Sequence, residues 1–365
     1  MKKIMSLVLA AAMSMTMLVG CGSKSGNENE EASGSDDKVV IKFLGKSFGD
    51  KSYWDSAKEG VERAQKDFAD KADIEIIETT ADEQRHLSAM YEAVDAGADY
   101  IITADFLDNL KEVAEENPDV KFITWDEPIE DVDNIYSIGF KTSEAAFLGG
   151  MVAADIASGN LEGTSEEKRI GFIGGMDETP VIQEFLAGYL QGAKYYDESI
   201  GFDASYVGSW SDSAKAKELA FAQFNNSNDD IIFACAGSSG IGAIEAAAET
   251  GRYIIGVDAD QSQLYEGKDE RNVFATSVLK LIGNALYGAI EDAISGNYES
   301  GYEVLGYADG VVDIVKNDLY DKYVSEEGKA KIEAAQEELK AGTLEVESIM
   351  GKSQEEISEF INQFK

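Results

Sequence analysis

The sequence predicts an α/β protein of two lobes, each a parallel sheet with helices on both faces. Two observations carry this expectation. From Val39 onward, short β-rich apolar runs alternate with stretches of helical periodicity, the pattern of strands joined by crossover helices. The chain, at 365 residues, also exceeds the roughly 250–300 residues at which a single hydrophobic core stops growing.

The expected strands are Val39–Leu44, Ile74–Ile77, Tyr100–Thr103 and Phe122–Trp125 in the first half, then Ile170–Ile173, Ala204–Val207, Ile231–Ala234 and Tyr253–Val257. Between them, Ser56–Phe68, Gln84–Ala96, Glu144–Ser158, Val181–Tyr196, Ser213–Phe224 and Ile241–Glu249 have helical spacing. Glu144–Ser158 shows why: Thr142 or Ser143 can cap it, Phe147, Leu148, Met151, Val152 and Ile156 share one face, and Gly159 ends it. The stretch after Asn317 holds two charged helices, Glu326–Ala341 and Gln354–Phe364, expected to pack on the lobes.

The N-terminus reads as an address. Lys2 and Lys3 precede an apolar run from Ile4 to Val19, followed by Gly20 and Cys21, which is the layout of a secretory signal. The run is too short for a comfortable membrane span. Leu18-Val19-Gly20-Cys21 resembles a bacterial lipobox, which implies cleavage after residue 20 and a lipidated Cys21 holding the chain to a membrane. Residues 21–38 are small or polar and read as a flexible tether.

Composition removes several classes of function. With 31 Lys+Arg against 70 Asp+Glu, the net charge of −39 repels nucleic acids and anionic lipid surfaces, so neither is expected as a partner, and a soluble monomeric body is. One histidine and two cysteines cannot supply a disulfide framework, a zinc cluster or a Cys–His pair. His86, in a polar run, is expected to be a solvated residue at a helix start. No metal or cofactor is expected, and Ala236-Gly237-Ser238-Ser239-Gly240 is not a dinucleotide fingerprint.

The segments after the strands are more telling. They carry Asp50, Tyr53 and Trp54; Asp105-Phe106; Asp126; Gly174-Gly175; Trp210; Gly237-Ser238; and Asp258. In open α/β sheets, ligands sit against these carboxyl-end loops. Aromatic rings with carboxylates and exposed backbone suit a nucleoside or a sugar.

Read in order, these loops resemble the BMP family of bacterial lipoproteins, the PnrA-like or Med-like nucleoside-binding proteins of ABC importers. The resemblance spans residues 39–345 and rests on Asp50-Lys51-Ser52-Tyr53, Lys121-Phe122 with Asp126, Asn134, and Phe140 with Glu144 to Gly150. It continues through Gly171 to Gly175, Pro180-Val181-Ile182, Gly188-Tyr189, Trp210 with Asp212, Ile255 to Gln261, and Thr276-Ser277 with Lys280.

The resemblance implies a type I periplasmic-binding-protein fold: two doubly wound parallel-sheet lobes joined by a three-strand hinge. The lobes would comprise residues 39–142 plus 281–299, and 143–280 plus 300–316, with 317–365 a helical extension. The crossovers would fall near 141–143, 279–282 and 297–303.

It also implies that Asp258 takes ribose hydroxyls, Lys280 bonds ligand at a crossover, Asp126 accepts from ring N–H or hydroxyl groups, and Trp210 is a stacking platform. Asp50, Tyr53 and Trp54 would form the first loop of the site, and Gly237 and Ser238 would offer backbone and hydroxyl groups. The sequence departs from the family at Tyr53-Trp54, where many members carry Phe-Asn, and near Ile241, where members often carry Asn.

The implied function is that of a lipoprotein on the outer face of the cell membrane, capturing a purine nucleoside for an ABC permease. A sugar or autoinducer binder on the same fold and a receptor for a sensor kinase are the alternatives. An enzyme with paired carboxylates is not supported by any nucleophile–base pair.

Overall fold

In a computed structural model, the described residues are 38–365 apart from 47, 50–52, 81 and 160. Cys21, the signal and tether readings, and Asp50 fall outside the described residues.

The first half of the chain runs β1 (Val39–Gly45), α1 (Tyr53–Asp67), β2 (Ala72–Glu78), α2 (Glu83–Asp95), β3 (Tyr100–Ile102), α3 (Leu107–Glu116), β4 (Lys121–Trp125) and β5 (Ile135–Phe140). The second lobe follows with α4 (Thr142–Ser158), β6 (Arg169–Gly174), α5 (Pro180–Tyr196), β7 (Gly201–Tyr206), α6 (Ser213–Ala222), β8 (Ile231–Cys235), α7 (Gly240–Thr250), β9 (Tyr253–Asp258) and β10 (Phe274–Lys280). Then come α8 (Ile282–Ser295), β11 (Gly301–Leu305), β12 (Val312–Ile314), α9 (Asp318–Tyr323), α10 (Glu326–Ala341) and α11 (Gln354–Asn362).

Two six-stranded sheets result, in the orders β11-β5-β4-β3-β1-β2 and β12-β10-β9-β8-β6-β7. Every pairing is parallel except β10 with β12. Strands buried on both faces must be apolar along their whole length, and β8 is buried at all five positions. In each lobe the order reverses beside its first strand, between β1 and β3 and between β6 and β8, which opens a crevice at the carboxyl ends there.

Glycines let the covering helices approach closely. A Cβ at Gly192 of α5 would stand 1.8 Å from the Phe147 carbonyl of α4, and one at Gly60 of α1 would stand 1.9 Å from that of Gly283 in α8. The second contact binds α8 to the first lobe, although α8 follows the last parallel strand of the second.

The chain crosses between lobes at Lys141, at Leu281, and between β11 and β12. This corrects the expected division. Residues 300–316 do not all belong to the second lobe: β11 pairs in parallel with β5, Gly301 opposite Tyr136 and Leu305 opposite Phe140. The third crossover therefore lies at Gly306–Val311 rather than at 297–303.

His86 is a second correction. It is wholly buried, with Nδ1 2.8 Å from Thr79 Oγ1 and Nε2 2.9 Å from Thr103 Oγ1. Because the Thr103 hydroxyl donates to the Leu44 carbonyl, it accepts from Nε2–H, leaving Nδ1 to accept from Thr79. Burial, reinforced by Lys46 and opposed by Asp105, lowers its pKa to about 4, so the ring is neutral. It fastens the carboxyl ends of three first-lobe strands.

Candidate ligand-binding cleft

Backbone conformation marks the site before any side chain is considered. Seven non-glycine residues among those described have positive φ, and five of them follow strand carboxyl ends: Thr80 (74°), Asp105 (64°), Phe106 (49°), Asp126 (79°) and Asp258 (67°). Left-handed backbone costs a side-chain-bearing residue of order 1–3 kcal/mol and gathers at functional sites. The three carboxylates among them belong to the short polar residue types that tolerate it best.

Asp126 directly follows β4 in the first lobe, and Lys280 ends β10 in the second. Their side chains form an ion pair across the crossover, with Lys280 only 2% exposed and Asp126 16%. The Lys280 ammonium also lies 5.2 Å from the ring centres of both Tyr53 and Phe140. The Tyr53 phenol is hydrogen-bonded to Asp126, and burial, Asp126, Asp105 and Asp258 all raise its pKa, so it stays protonated and donates. The Lys280 carbonyl accepts from Ser56 Oγ at 2.9 Å, which ties α1 to the same crossover. The structure thus gathers Tyr53, Asp126, Lys280 and Asp258 at one junction of the lobes.

Trp54 is placed elsewhere. Helix α1 begins at Tyr53, earlier than the periodicity suggested, so Trp54 falls on its buried stripe with Ala57, Val61 and Ala64. Its indole, 7% exposed, meets Tyr53 and Trp125 edge-on at 5.4 Å each. Trp54 packs into the core directly behind Tyr53.

In the second lobe, Trp210 is 44% exposed although it follows a strand end. A Cβ on Gly175 would come within 2.3 Å of the indole, and one on Gly237 would lie 3.6 Å away, so the ring rests on a floor of bare backbone. Gly237, at φ 53°, opens a short turn that leads into α7. Ser238 sits half-buried in that turn, and its neighbour Ser239 fastens it by donating to the Ser209 carbonyl and accepting from the Asp212 amide. Asp212 caps α6 by accepting from Lys215 N at 2.9 Å. Asp258 is 9% exposed at the end of β9, and the Gln261 side chain holds the adjoining turn by accepting from Val257 N.

Sequence reasoning noted Asp105-Phe106 but gave neither a site role. Asp105 pairs with Lys46 at 2.5 Å, and that ammonium lies 4.7 Å from the centre of the Phe106 ring, which meets the His86 ring at a tilt, 5.4 Å between centres. The available signal was an aromatic residue directly after a strand-end aspartate.

A cavity of about 760 Å³ adjoins Asp126 on the β5–β11 side, between first-lobe residues Phe140 and Tyr302 and second-lobe residues Ser143 and Val181. No metal-holding cluster of His, Cys, Asp or Glu occurs among the described residues, and no helix there is long and apolar enough to cross a membrane.

Residues 38–345 match the Bmp family, described as ABC transporter substrate-binding protein PnrA-like. The whole chain is 32% identical to the full length of Basic membrane protein A from Borreliella burgdorferi. It is 29% identical to the ABC transporter nucleoside-binding protein BmpA of Lactococcus lactis, over 82% of this chain and 87% of that one. Among solved structures, an ABC transporter solute-binding protein from Aeropyrum pernix superposes with a TM-score of 0.75 at 23% identity, covering 90% of this chain and 97% of its own.

Proposed function

The chain belongs to the Bmp family of PnrA-like ABC transporter substrate-binding proteins, and from that premise we propose that it captures a purine nucleoside between its lobes and delivers it to an ABC permease. The reading is supported by the nucleoside-binding relative and carried by one observation, the junction of Tyr53, Asp126 and Lys280 where the two lobes meet. A ligand there touches both lobes at once, so it favours the closed form by its differential affinity.

Each group has a role. Trp210 stacks on the base, since an exposed indole on a glycine floor offers a flat apolar face. Asp258 and Asp126 accept from ribose hydroxyls and ring N–H groups, and Lys280 both bonds the ligand and holds Asp126 in place. Gly237 and Ser238 line the second-lobe turn under Trp210, and Asp50 would add a first-loop carboxylate. Lipidation at Cys21 would anchor the protein on the outer face of the membrane, beside its permease.

The test is thermal unfolding of the purified full chain, refolded to remove carried-over ligand, against guanosine, inosine, adenosine, cytidine, uridine, ribose and galactose. A ligand at 100 times its Kd adds about 2.7 kcal/mol of stability. Stabilisation by purine nucleosides alone is expected; stabilisation by sugars alone, or by nothing, overturns the reading. Trp210→Ala should weaken purine nucleoside binding by about 1–3 kcal/mol, the value of one base–aromatic stack, while leaving the fold nearly as stable.

A further inference from the structure

The helical extension does more than pack on the second lobe. It is anchored at both ends. At its start, buried Asp155 of α4 accepts from Ser325 N at 2.8 Å and from Ser325 Oγ and Tyr196 OH. At its end, Ile349 is wholly buried with Ala187 of α5 and with Ile357 and Phe360 of α11. Between the anchors, residues 342–351 run along α5. Gln191 exchanges two 2.9 Å hydrogen bonds with the backbone of Glu347, and Ile349 N donates to Glu184 Oε2 at 2.7 Å. The segment therefore moves with the second lobe.

Its other side faces the first lobe across the cavity beside Asp126. Leu344, Val346 and Met350 form one wall of that cavity, and Tyr302 and Val304 of β11 form part of the opposite wall. β11 is the outermost strand of the first sheet, on the side where the crossovers lie. Among the described residues, five large hydrophobic side chains are exposed, and two of them, Val304 at 43% and Met350 at 38%, line this one cavity from different lobes. Exposed apolar groups on two facing walls that can move relative to one another are expected to be covered in another state of the molecule. The family match ends at 345, whereas Val346, Ser348 and Met350 lie beyond it and still line the cavity.

We propose that the segment Leu339–Met350 is a latch, carried by the second lobe, that seats Met350 against Val304 of the first-lobe edge strand when the lobes close, and so favours the closed form. This rests on the closure reading given above. The apolar contact is made in the closed state and not in the open one, so it adds to closure without touching the ligand.

The test places Val304→Cys and Met350→Cys together in a full-length Cys21→Ser background; Cys235 is buried, and burial raises its thiol pKa, so it stays out of the exchange. Oxidation should link the two thiols within minutes and reduce the radius of gyration measured by solution scattering, without any nucleoside present. Guanosine should then bind the linked protein at least tenfold more tightly than the reduced one. A link that fails to form, or that forms with unchanged scattering, overturns the latch. Guanosine failing to bind the parent chain overturns the nucleoside reading instead, and the scattering result still decides the latch.

Discussion

Replacing Lys280 by Met tests whether the lobes are joined through a buried charge pair. With side chains 2% and 16% exposed, Lys280 and Asp126 have little access to water. Removing one partner of a buried pair costs about 3–5 kcal/mol, because the other charge is left uncompensated, whereas an exposed pair is worth about 0–1 kcal/mol. Asp126 keeps the Tyr53 hydroxyl as a donor and some solvent contact, so Lys280→Met should cost about 2–3 kcal/mol. Asp126→Asn should cost a similar amount by stranding the ammonium. The double variant replaces both charges with neutral groups of similar size and should lie near the parent, giving a coupling energy of about 4–6 kcal/mol. Urea unfolding of the four proteins at pH 7 measures this cycle. Additivity within about 0.5 kcal/mol would refute the reasoning, because it would mean that the two groups do not meet in solution.

Two further predictions concern pH. Asp229 is wholly buried; desolvation and then Asp203 push its pKa up to about 8, with Arg169, 3.4 Å away but paired with Asp203, offsetting this only in part. Between about pH 4 and 8 the folded state holds a proton that the unfolded state has released, so stability falls as pH rises, by at most about 1.4 kcal/mol per unit. Asp229→Asn should flatten that fall in urea titrations between pH 5 and 8, and equal slopes for both proteins would count against it. His86 acts in the opposite direction: its lowered pKa leaves the folded ring neutral where the unfolded one takes up a proton, so stability declines as pH falls from about 6.5 towards 4. His86→Gln, less stable at neutral pH, should lose this decline; an unchanged acid limb would show that the ring titrates normally.

The class of fold and several candidate site positions are legible in the sequence alone. Strands buried on both faces must be apolar throughout, so β1, β4, β6, β8 and β9 stood out as runs, and the loops after them could be named as the ligand face. Asp126 and Asp258 were legible because each follows or ends such a run, Trp210 because it follows the expected run Ala204–Val207, and Lys280 only through the family motif with Thr276-Ser277. Four strands were not: β5 and β10 are absent from the expected runs, while β11 is an edge strand with Glu303 and Val304 exposed and β12 has only three residues, so neither of these last two leaves a periodic trace.

The remainder depends on contacts between segments far apart in the chain. A one-turn uncertainty in where α1 begins decides whether Trp54 faces the cleft or the core, and spacing alone leaves that open. His86 sits in a polar run of α2, yet it is buried, because its partners Thr79 and Thr103 come from the carboxyl ends of β2 and β3. The pairing of Asp126 with Lys280 joins residues from different lobes, and the wall that Met350 makes opposite Val304 joins the last stretch of the chain to an edge strand. Local propensity extends over a few residues; contacts between distant segments are set by where the crossovers bring them.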